Sequence, residues 1–391
     1  MNLEKLTIFF QPIISTSSRR IFAVEALLRA IDHDGNIIPP YEIFNSCETS
    51  EQLEYISNEA IMLTFEKFNI IQKTYPNILL FINIEPSLID SKWKKFKPLL
   101  LNHDVSYSNI VLEIKEEFIK DLNFLTEFCQ FFRDKDFFIA LDDFGSGCSN
   151  FERINSIKPD VIKLDRSLIQ DLHKNVVHQE IVKSIINMTH TLGSAILAEG
   201  VEDLEDIIYA RTQGVTLFQG FFFDRPMNKL DVLNYYNKVE NIEKLVSEDT
   251  ILKMKKRKKQ FEHAKYIAVS ISNIIKGRVN CTDLLSCIEP ILERHAELEA
   301  FYILNSDGKQ LGKTAMRLDV NPFYLPAPAH YDHSGKEYFS IAKESQNGKY
   351  LSKRYISQAS GNLCKTYVHK IEILGDEHFL CIDFKTNLKE Y

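Results

Sequence analysis

The chain has 391 residues, 45% hydrophobic and 26% charged, with a formal net charge of −7. That is enough length for two domains, or for one large barrel with an appendage, in the balance of an ordinary soluble globular protein. The acidic total argues against a dedicated nucleic-acid binder. No stretch of about 18 uncharged apolar residues offers a membrane span. The start, "MNLEKLTIFFQPII", lacks the basic, apolar and small-residue regions of a signal peptide, so a cytoplasmic protein is expected. Seven cysteines, at 47, 129, 148, 281, 287, 364 and 381, form no CxxC pair and read as free thiols in a reducing compartment.

In chain order, eight apolar segments read as strands: "LTIFFQPII", "IFAVEALLRA", "LLFINIE", "IVLEIKE", "FFIALDDFG", "VIKLD", "AILAEG" and "LFQGFFF". Between most of them lie segments with apolar residues spaced three or four apart, such as "SEQLEYISNEAIMLTFEKFNIIQ" and "HQEIVKSIINMTHTLGS". Near-continuous apolar strands suit a parallel sheet covered on both faces. Eight such units predict an α/β fold of the (β/α)8, TIM-like barrel type, with a doubly wound open sheet as the alternative. Residues 249–277 read as an amphipathic helix whose seam is Phe261, Ala264, Ala268, Ile271 and Ile275. The seam needs a cover, either a symmetric partner helix or the C-terminal sheet, and a homodimer is expected. Its basic block, Lys253 and Lys255–Lys259, reads as a solvated face, with an acidic or nucleic-acid partner as the rival reading. From about 297, hairpin signals at Asn305–Gly308, Ser360–Gly361 and Gly375–Asp376 predict an antiparallel meander in a small α+β module. The expected domains are a barrel over 1–240, a linker helix over 241–280 and a sensory or dimerisation module over 281–391.

Polar residues recur near the C-terminal ends of the predicted strands: Glu25, Asn83, Glu113, the pair Asp142–Asp143, Lys163, Glu199 and Gln219. In a barrel these ends converge on one mouth, where active sites of the architecture lie. One carboxylate at a strand end is usually a helix cap or a solvated edge, but repetition on seven of eight strands is hard to assign to capping. Five carboxylates with amide oxygens make a hard, all-oxygen pocket that cannot ionise together without cations. No His or Cys lies among them, so Mg2+ or Mn2+ suits the pocket better than Zn2+. Adjacent Asp142 and Asp143 are expected to point to different sides of the strand end, suiting two metals of the kind that promote displacement at phosphorus. Lys163 could orient the nucleophile or its phosphoryl target, and Arg29 could hold a phosphate as a planar fork.

These residues fall in segments that together resemble the EAL-domain family of cyclic di-GMP phosphodiesterases: "QPI", "VEALLR", "NIEPSLI", "EIKE", "DDFGSG", "KPDVIKLDRSLI", "AEGVE" and "QGFFFDRPM", in order over about residues 3–230. The resemblance implies a barrel with one strand running against the others and metal-dependent hydrolysis of cyclic di-GMP to linear pGpG. It implies that Glu25, Asn83, Glu113 and Asp142 are metal ligands, with Asp143 near a second metal and Gln219 completing the network. It casts Lys163 and Glu199 as the groups that orient and deprotonate the attacking water. Gln11, Leu28, Arg29 and Asp165 fall where the family meets substrate or shapes its pocket, and Glu116 and Glu202 where it steadies the loop after Asp143.

The chain departs from the family pattern at four places. Ser146 and Cys148 stand in the loop after Asp143, Glu85 where a small residue is commoner, and Lys115 where a threonine is usual. Cys148 reads as a tolerated substitution or a redox switch. A rival function is a cyclic di-GMP receptor that binds without cutting, as members lacking a ligand or base do. The C-terminal part resembles PAS- or Cache-like modules and offers no haem or flavin setting. Either a small-molecule ligand or a dimerisation role fits it, and His330, His333 and His369 are expected at its surface.

Overall fold

The computed structural model describes residues 5–89, 93–115, 121–147, 151–229, 235–276, 289–317 and 327–386. It divides into two compact units, Met1–Thr250 and Ile251–Tyr391.

In the first unit the strands are β1 (Lys5–Ser15), β2 (Arg20–Ile31), β3 (Ile37–Ile38), β4 (Leu79–Ile84), β5 (Ile110–Lys115), β6 (Phe138–Phe144), β7 (Val161–Leu164), β8 (Ala195–Ala198) and β9 (Leu217–Phe218). All but β3 close into an eight-stranded barrel, because β1 pairs with both β2 and β9. Both β1 pairings are antiparallel, and the ladders from β2 through β4 to β9 are parallel. The barrel alternative, and not the open sheet, is what forms, with its one reversed strand.

The helices between strands start and stop where local chemistry dictates. Thr49 caps Ser50–Thr74 by accepting from the Gln52 amide, and Gln52 reaches back in a capping box. Asn175 caps Val176–Leu192, which ends on Gly193 in the left-handed region at φ 76°. Their apolar faces, including Ile61, Phe65 and Phe68 of the first and Val182 and Ile186 of the second, pack on the outside of the barrel. The barrel interior is a separate layer with one residue from each strand: Ile13, Ala23, Phe81, Val111, Ala140, Val161, Leu197 and Leu217. It is a packed plug and sets a floor under everything beyond it.

In the second unit, β10 (Leu298–Asn305), β11 (Gln310–Met316), β12 (Lys349–Leu351), β13 (Tyr355–Ile356), β14 (Leu363–Ile373) and β15 (Asp376–Lys385) make one antiparallel sheet. The β10–β11 turn forms because the Asn305 side chain accepts from the amides of Asp307 and Lys309, with Gly308 at φ 84°. The helix carrying the predicted seam runs from Tyr236 to Lys276. Within the second unit, Ala264, Ala268, Ile271 and Ile275 pack on Phe301, Tyr367, Leu380 and Ile382 of the sheet. The sheet is therefore the cover. Lys255–Lys259 lie exposed, as a solvated face should.

Two histidines correct the sequence reading. His333 and His369 are buried, at 6% and 9% exposure, while His330 is exposed. His333 accepts from the Tyr338 hydroxyl at Nδ1 (2.9 Å) and meets Gln310 Oε1 at Nε2 (3.0 Å), so it is a neutral core residue. Its burial escaped the sequence because turn-like neighbours, "HYDHSGK", mask a side chain folded under the sheet. Among the described residues, Cys47, Cys129, Cys364 and Cys381 are free thiols, as expected.

A buried carboxylate in this unit makes a stability prediction. Asp383, 2% exposed, accepts from Thr366 Oγ1 (2.7 Å) and Ser357 Oγ (3.3 Å), and burial pushes its pKa up to about 7. Between about pH 4 and 7 the folded chain keeps a proton that the unfolded chain has released, so stability falls as pH rises through that window. Asp383→Asn removes the ionisation and should be more stable than wild type by about 2–4 kcal/mol at pH 8, with little difference at pH 4. Thermal unfolding of both proteins across this range reads it; a difference that does not grow with pH counts against the assignment.

Candidate active site

The pleat of the strands assembles the site. Side chains two residues apart point to the same face of a strand. Two positions beyond the plug residues Ala23, Phe81, Val111, Ala140, Val161, Leu197 and Leu217 stand Glu25, Asn83, Glu113, Asp142, Lys163, Glu199 and Gln219. On reversed β1 the corresponding position lies two before Ile13, and it is Gln11, paired across the ladder with Glu25. Every strand of the barrel thus delivers one polar residue to a ring directly above the plug. Gly220 lets the last of them approach: a Cβ there would lie 2.2 Å from the Val201 carbonyl oxygen.

Lys163 is at the centre, 1% exposed. Its ammonium lies 2.8 Å from Asp142, 2.7 Å from Glu199 and 3.8 Å from Glu25, and it also contacts Glu113. Asn83 donates to Glu25 Oε1 (2.8 Å), and Gln219 donates to Glu25 Oε2 (2.5 Å) and Gln11 Oε1 (3.1 Å). Gln11 in turn donates to the Asp224 carbonyl (3.1 Å), whose carboxylate accepts from Tyr235 (2.6 Å), the residue before the long helix. This chain of hydrogen bonds fixes the orientation of both glutamines.

The electrostatics are unbalanced towards negative charge. Burial alone would lower the pKa of Lys163, but Asp142, Glu113, Glu199 and Glu25 hold it well above the usual range. Burial pushes Glu113 well up, reinforced by Glu25, and pushes Glu199 up to about 8. Asp143 is also raised, by burial and by Asp142. Carboxylates about 5 Å apart repel by about 3 kcal/mol at an effective dielectric constant of about 20. Lys163 and Lys115 cannot neutralise five of them.

The donor set fits divalent cations. Oxygens of Asp142, Asp143 and Glu199 lie within 4.8 Å of one another, in a geometry that can hold a metal ion. Glu113 Oε2 and Gln219 Oε1 are buried without a hydrogen-bond partner among the described residues. Such orphaned oxygens are costly unless something positive meets them. Asp142 and Asp143 do not face opposite sides as strand alternation would have it. Asp143 takes φ 55°, in the left-handed region, and this brings both carboxylates to the same mouth.

The ring opens into a cavity of about 750 Å³ lined also by Leu28, Tyr41, Glu85, Lys115, Arg166 and Phe221. Leu28 is therefore where the sequence places it. Arg29 is outside the lining: it donates to its neighbour's carbonyl, Leu28 O (2.8 Å), and lies over the Phe9 ring. Asp165 is likewise outside and caps the short helix Arg166–Ile169 by accepting from Ser167. Glu202 pairs with Arg166 (3.1 Å) at the cavity wall. Glu116 and Cys148 lie outside the described residues. Sequence reasoning missed Arg166 and Phe221, whose only signal is their position one and two residues past Asp165 and Gln219 respectively.

Comparisons with known proteins agree with this architecture. YkuI of Bacillus subtilis, an EAL-domain protein, is 23% identical over 98% of this chain and 95% of its own length. Its crystal structure, in complex with substrate c-di-GMP and calcium, has a TM-score of 0.84 at 21% identity, over 99% of this chain and 98% of that one; this shows the shared fold. PdeR of Escherichia coli, a cyclic di-GMP phosphodiesterase, is 26% identical over 60% of this chain and 36% of its own length. BlrP1 of Klebsiella pneumoniae, in a complex with calcium and c-di-GMP, has a TM-score of 0.52 at 27% identity, over 57% of each chain. The EAL domain itself matches residues 1–226, the span that builds all eight barrel strands and the whole ring around Lys163. The chain belongs to the EAL domain family.

Proposed function

We propose that the chain is a phosphodiesterase that hydrolyses cyclic di-GMP to linear pGpG in bacterial second-messenger signalling, using two divalent cations, Mg2+ or Mn2+. The observation that carries this reading is the complete ring above the plug, in which no carboxylate, amide or lysine expected of an active member is missing. The same completeness favours the enzyme over a receptor that binds without cutting.

In this reading Glu25, Asn83, Glu113, Asp142 and Gln219 hold one cation, and Asp143 serves the second. When bound, the cations supply Lewis acidity and a water acidic enough to attack near neutral pH. Glu199, at the rim of the ring, takes the proton from the attacking water. The water oxygen forms a bond to phosphorus, the bond from phosphorus to the 3′ oxygen breaks, and that oxygen takes a proton from solvent. Lys163 holds Glu199 and Asp142 in place and offers its charge to the phosphoryl oxygens. Gln11 and Leu28 shape the pocket, and Arg166 supplies the phosphate fork expected of Arg29. Exposed Tyr41 and Phe221 line the cavity as aromatic surface for stacking a flat base, with Arg225 already over one side of the Phe221 ring.

The test is incubation with cyclic di-GMP and Mn2+ or Mg2+, with chromatography for pGpG. Metal-dependent appearance of pGpG is expected; tight binding without product establishes the receptor instead. The C-terminal unit is read as a PAS-like regulatory module, with a small-molecule ligand as one of its roles, in a cytoplasmic homodimer. With the helix seam covered by the chain's own sheet, the dimer now rests on exposed Ile251, Leu252 and Met254 of the same helix. Light scattering at twice the chain mass is expected, and a single-chain mass removes the dimer.

A further inference from the structure

Among the departures from the family pattern that lie in the described residues, Lys115 is the one paired with a carboxylate of the Asp142–Asp143 pair. The pleat that puts Val111 in the plug and Glu113 in the ring puts Lys115 on the same interior face, one layer further out. Its register partner on β6 is Asp142, the residue before Asp143. From there the ammonium reaches Asp143 Oδ2 at 3.0 Å, and both residues line the cavity. A threonine at 115 would be too short to span that distance and carries no charge.

This places a fixed positive charge on the carboxylate that, in the function proposed above, serves the second cation. We propose that Lys115 is a metal-tuning residue: its ammonium competes with the second divalent cation for Asp143, so that this chain fills its two sites unequally. The first site, built on Glu25, Asn83, Glu113, Asp142 and Gln219, keeps its own ligands and is affected less. The second cation must displace Lys115 from Asp143 and then sit within a few ångströms of the displaced ammonium. A neighbouring charge of like sign at about 4–6 Å disfavours a proton by about 1–3 pKa units, and a divalent cation feels it at least as strongly. The side chains of Lys115 and Asp143 are 43% and 34% exposed, so water screens the pair and the lower end of that range applies. The consequence is about a tenfold weaker second site than the same ring would have without the lysine.

The inference rests on the proposed function for the identity of the second site, so the experiment reads metal uptake without substrate. Mn2+ is titrated into the full chain and followed by calorimetry and by the electron paramagnetic resonance of free Mn2+. Wild type should show one tight and one weak uptake step. Lys115→Met keeps length and removes charge, and Lys115→Thr removes both; each should tighten the second step about tenfold. Lys115→Arg keeps the charge and should leave the second step weak. Lys115 lies outside the packed plug with its side chain 43% exposed, and circular dichroism of each variant checks the fold. Equal isotherms for wild type, Lys115→Met and Lys115→Thr overturn the proposal while leaving the phosphodiesterase intact. Absence of Mn2+ uptake by every protein overturns the metal reading itself, and this inference with it.

Discussion

Glu199→Gln should lower the rate of pGpG formation by about 10²–10⁴-fold, the range expected for loss of a general base, while cyclic di-GMP affinity changes little. The amide keeps the size of the side chain and an oxygen towards Lys163 (2.7 Å in wild type), so the ring keeps its shape. What it loses is the lone basic site that can accept a proton. The position suits that task better than any other carboxylate in the ring. The Glu113 side chain is fully buried and that of Asp142 is 6% exposed, whereas the Glu199 side chain is 17% exposed and lines the cavity. Burial also lifts Glu199 above the usual carboxylate range, which makes its ionised form the stronger base. Rate and affinity are measured separately, by single-turnover chromatography and by equilibrium binding in Ca2+. A variant retaining more than about a tenth of the wild-type rate would place the base elsewhere.

Much of this site is legible in the sequence because a barrel turns a one-dimensional rule into a three-dimensional one. Seven apolar runs each followed by a polar residue at the strand end need only the period of two and closure to become a ring, which Gln11 of the reversed first strand completes. The residues that carried the metal chemistry in the sequence therefore meet as expected. What the sequence could not carry was anything set by a single backbone dihedral or by side-chain reach. Asp143 turns to the mouth because of φ 55°, which strand alternation cannot foresee. Arg29 has the right chemistry and the right strand, but its guanidinium is taken by a backbone carbonyl and a phenylalanine ring. Asp165 has the spacing of a site residue and serves as a helix cap. The helix seam at 264–275 was plain from its periodicity, but a seam states only that a cover exists and not which one.

Lys163→Met should destabilise the metal-free barrel by about 3–5 kcal/mol, the cost of removing one partner from a buried ionic cluster. Methionine keeps the length and apolar stem of the lysine, so the loss measures charge and not volume. Without the ammonium, Glu25, Glu113, Asp142 and Glu199 face each other with no cation among them. For a unit of this size the midpoint of thermal unfolding should fall by about 10 °C. The sign of the pH dependence follows from the same cluster. Lys163 has a folded pKa above its ordinary value, so its stabilising effect is fully present below about pH 10 and comparisons at pH 5 and 8 both lie inside that window. In the variant the carboxylates can escape their repulsion only by taking up protons, and Glu113 and Glu199 already hold theirs above the usual range. The deficit relative to wild type should therefore be larger at pH 8 than at pH 5. Mn2+ should restore part of the stability at pH 8, because divalent charge replaces the missing ammonium, but should not restore pGpG formation, because the ammonium that the proposed function directs at the phosphoryl oxygens is gone. A variant that unfolds like wild type in chelator at pH 8 would remove Lys163 from its structural role, and one that regains full turnover with Mn2+ would remove it from its chemical one.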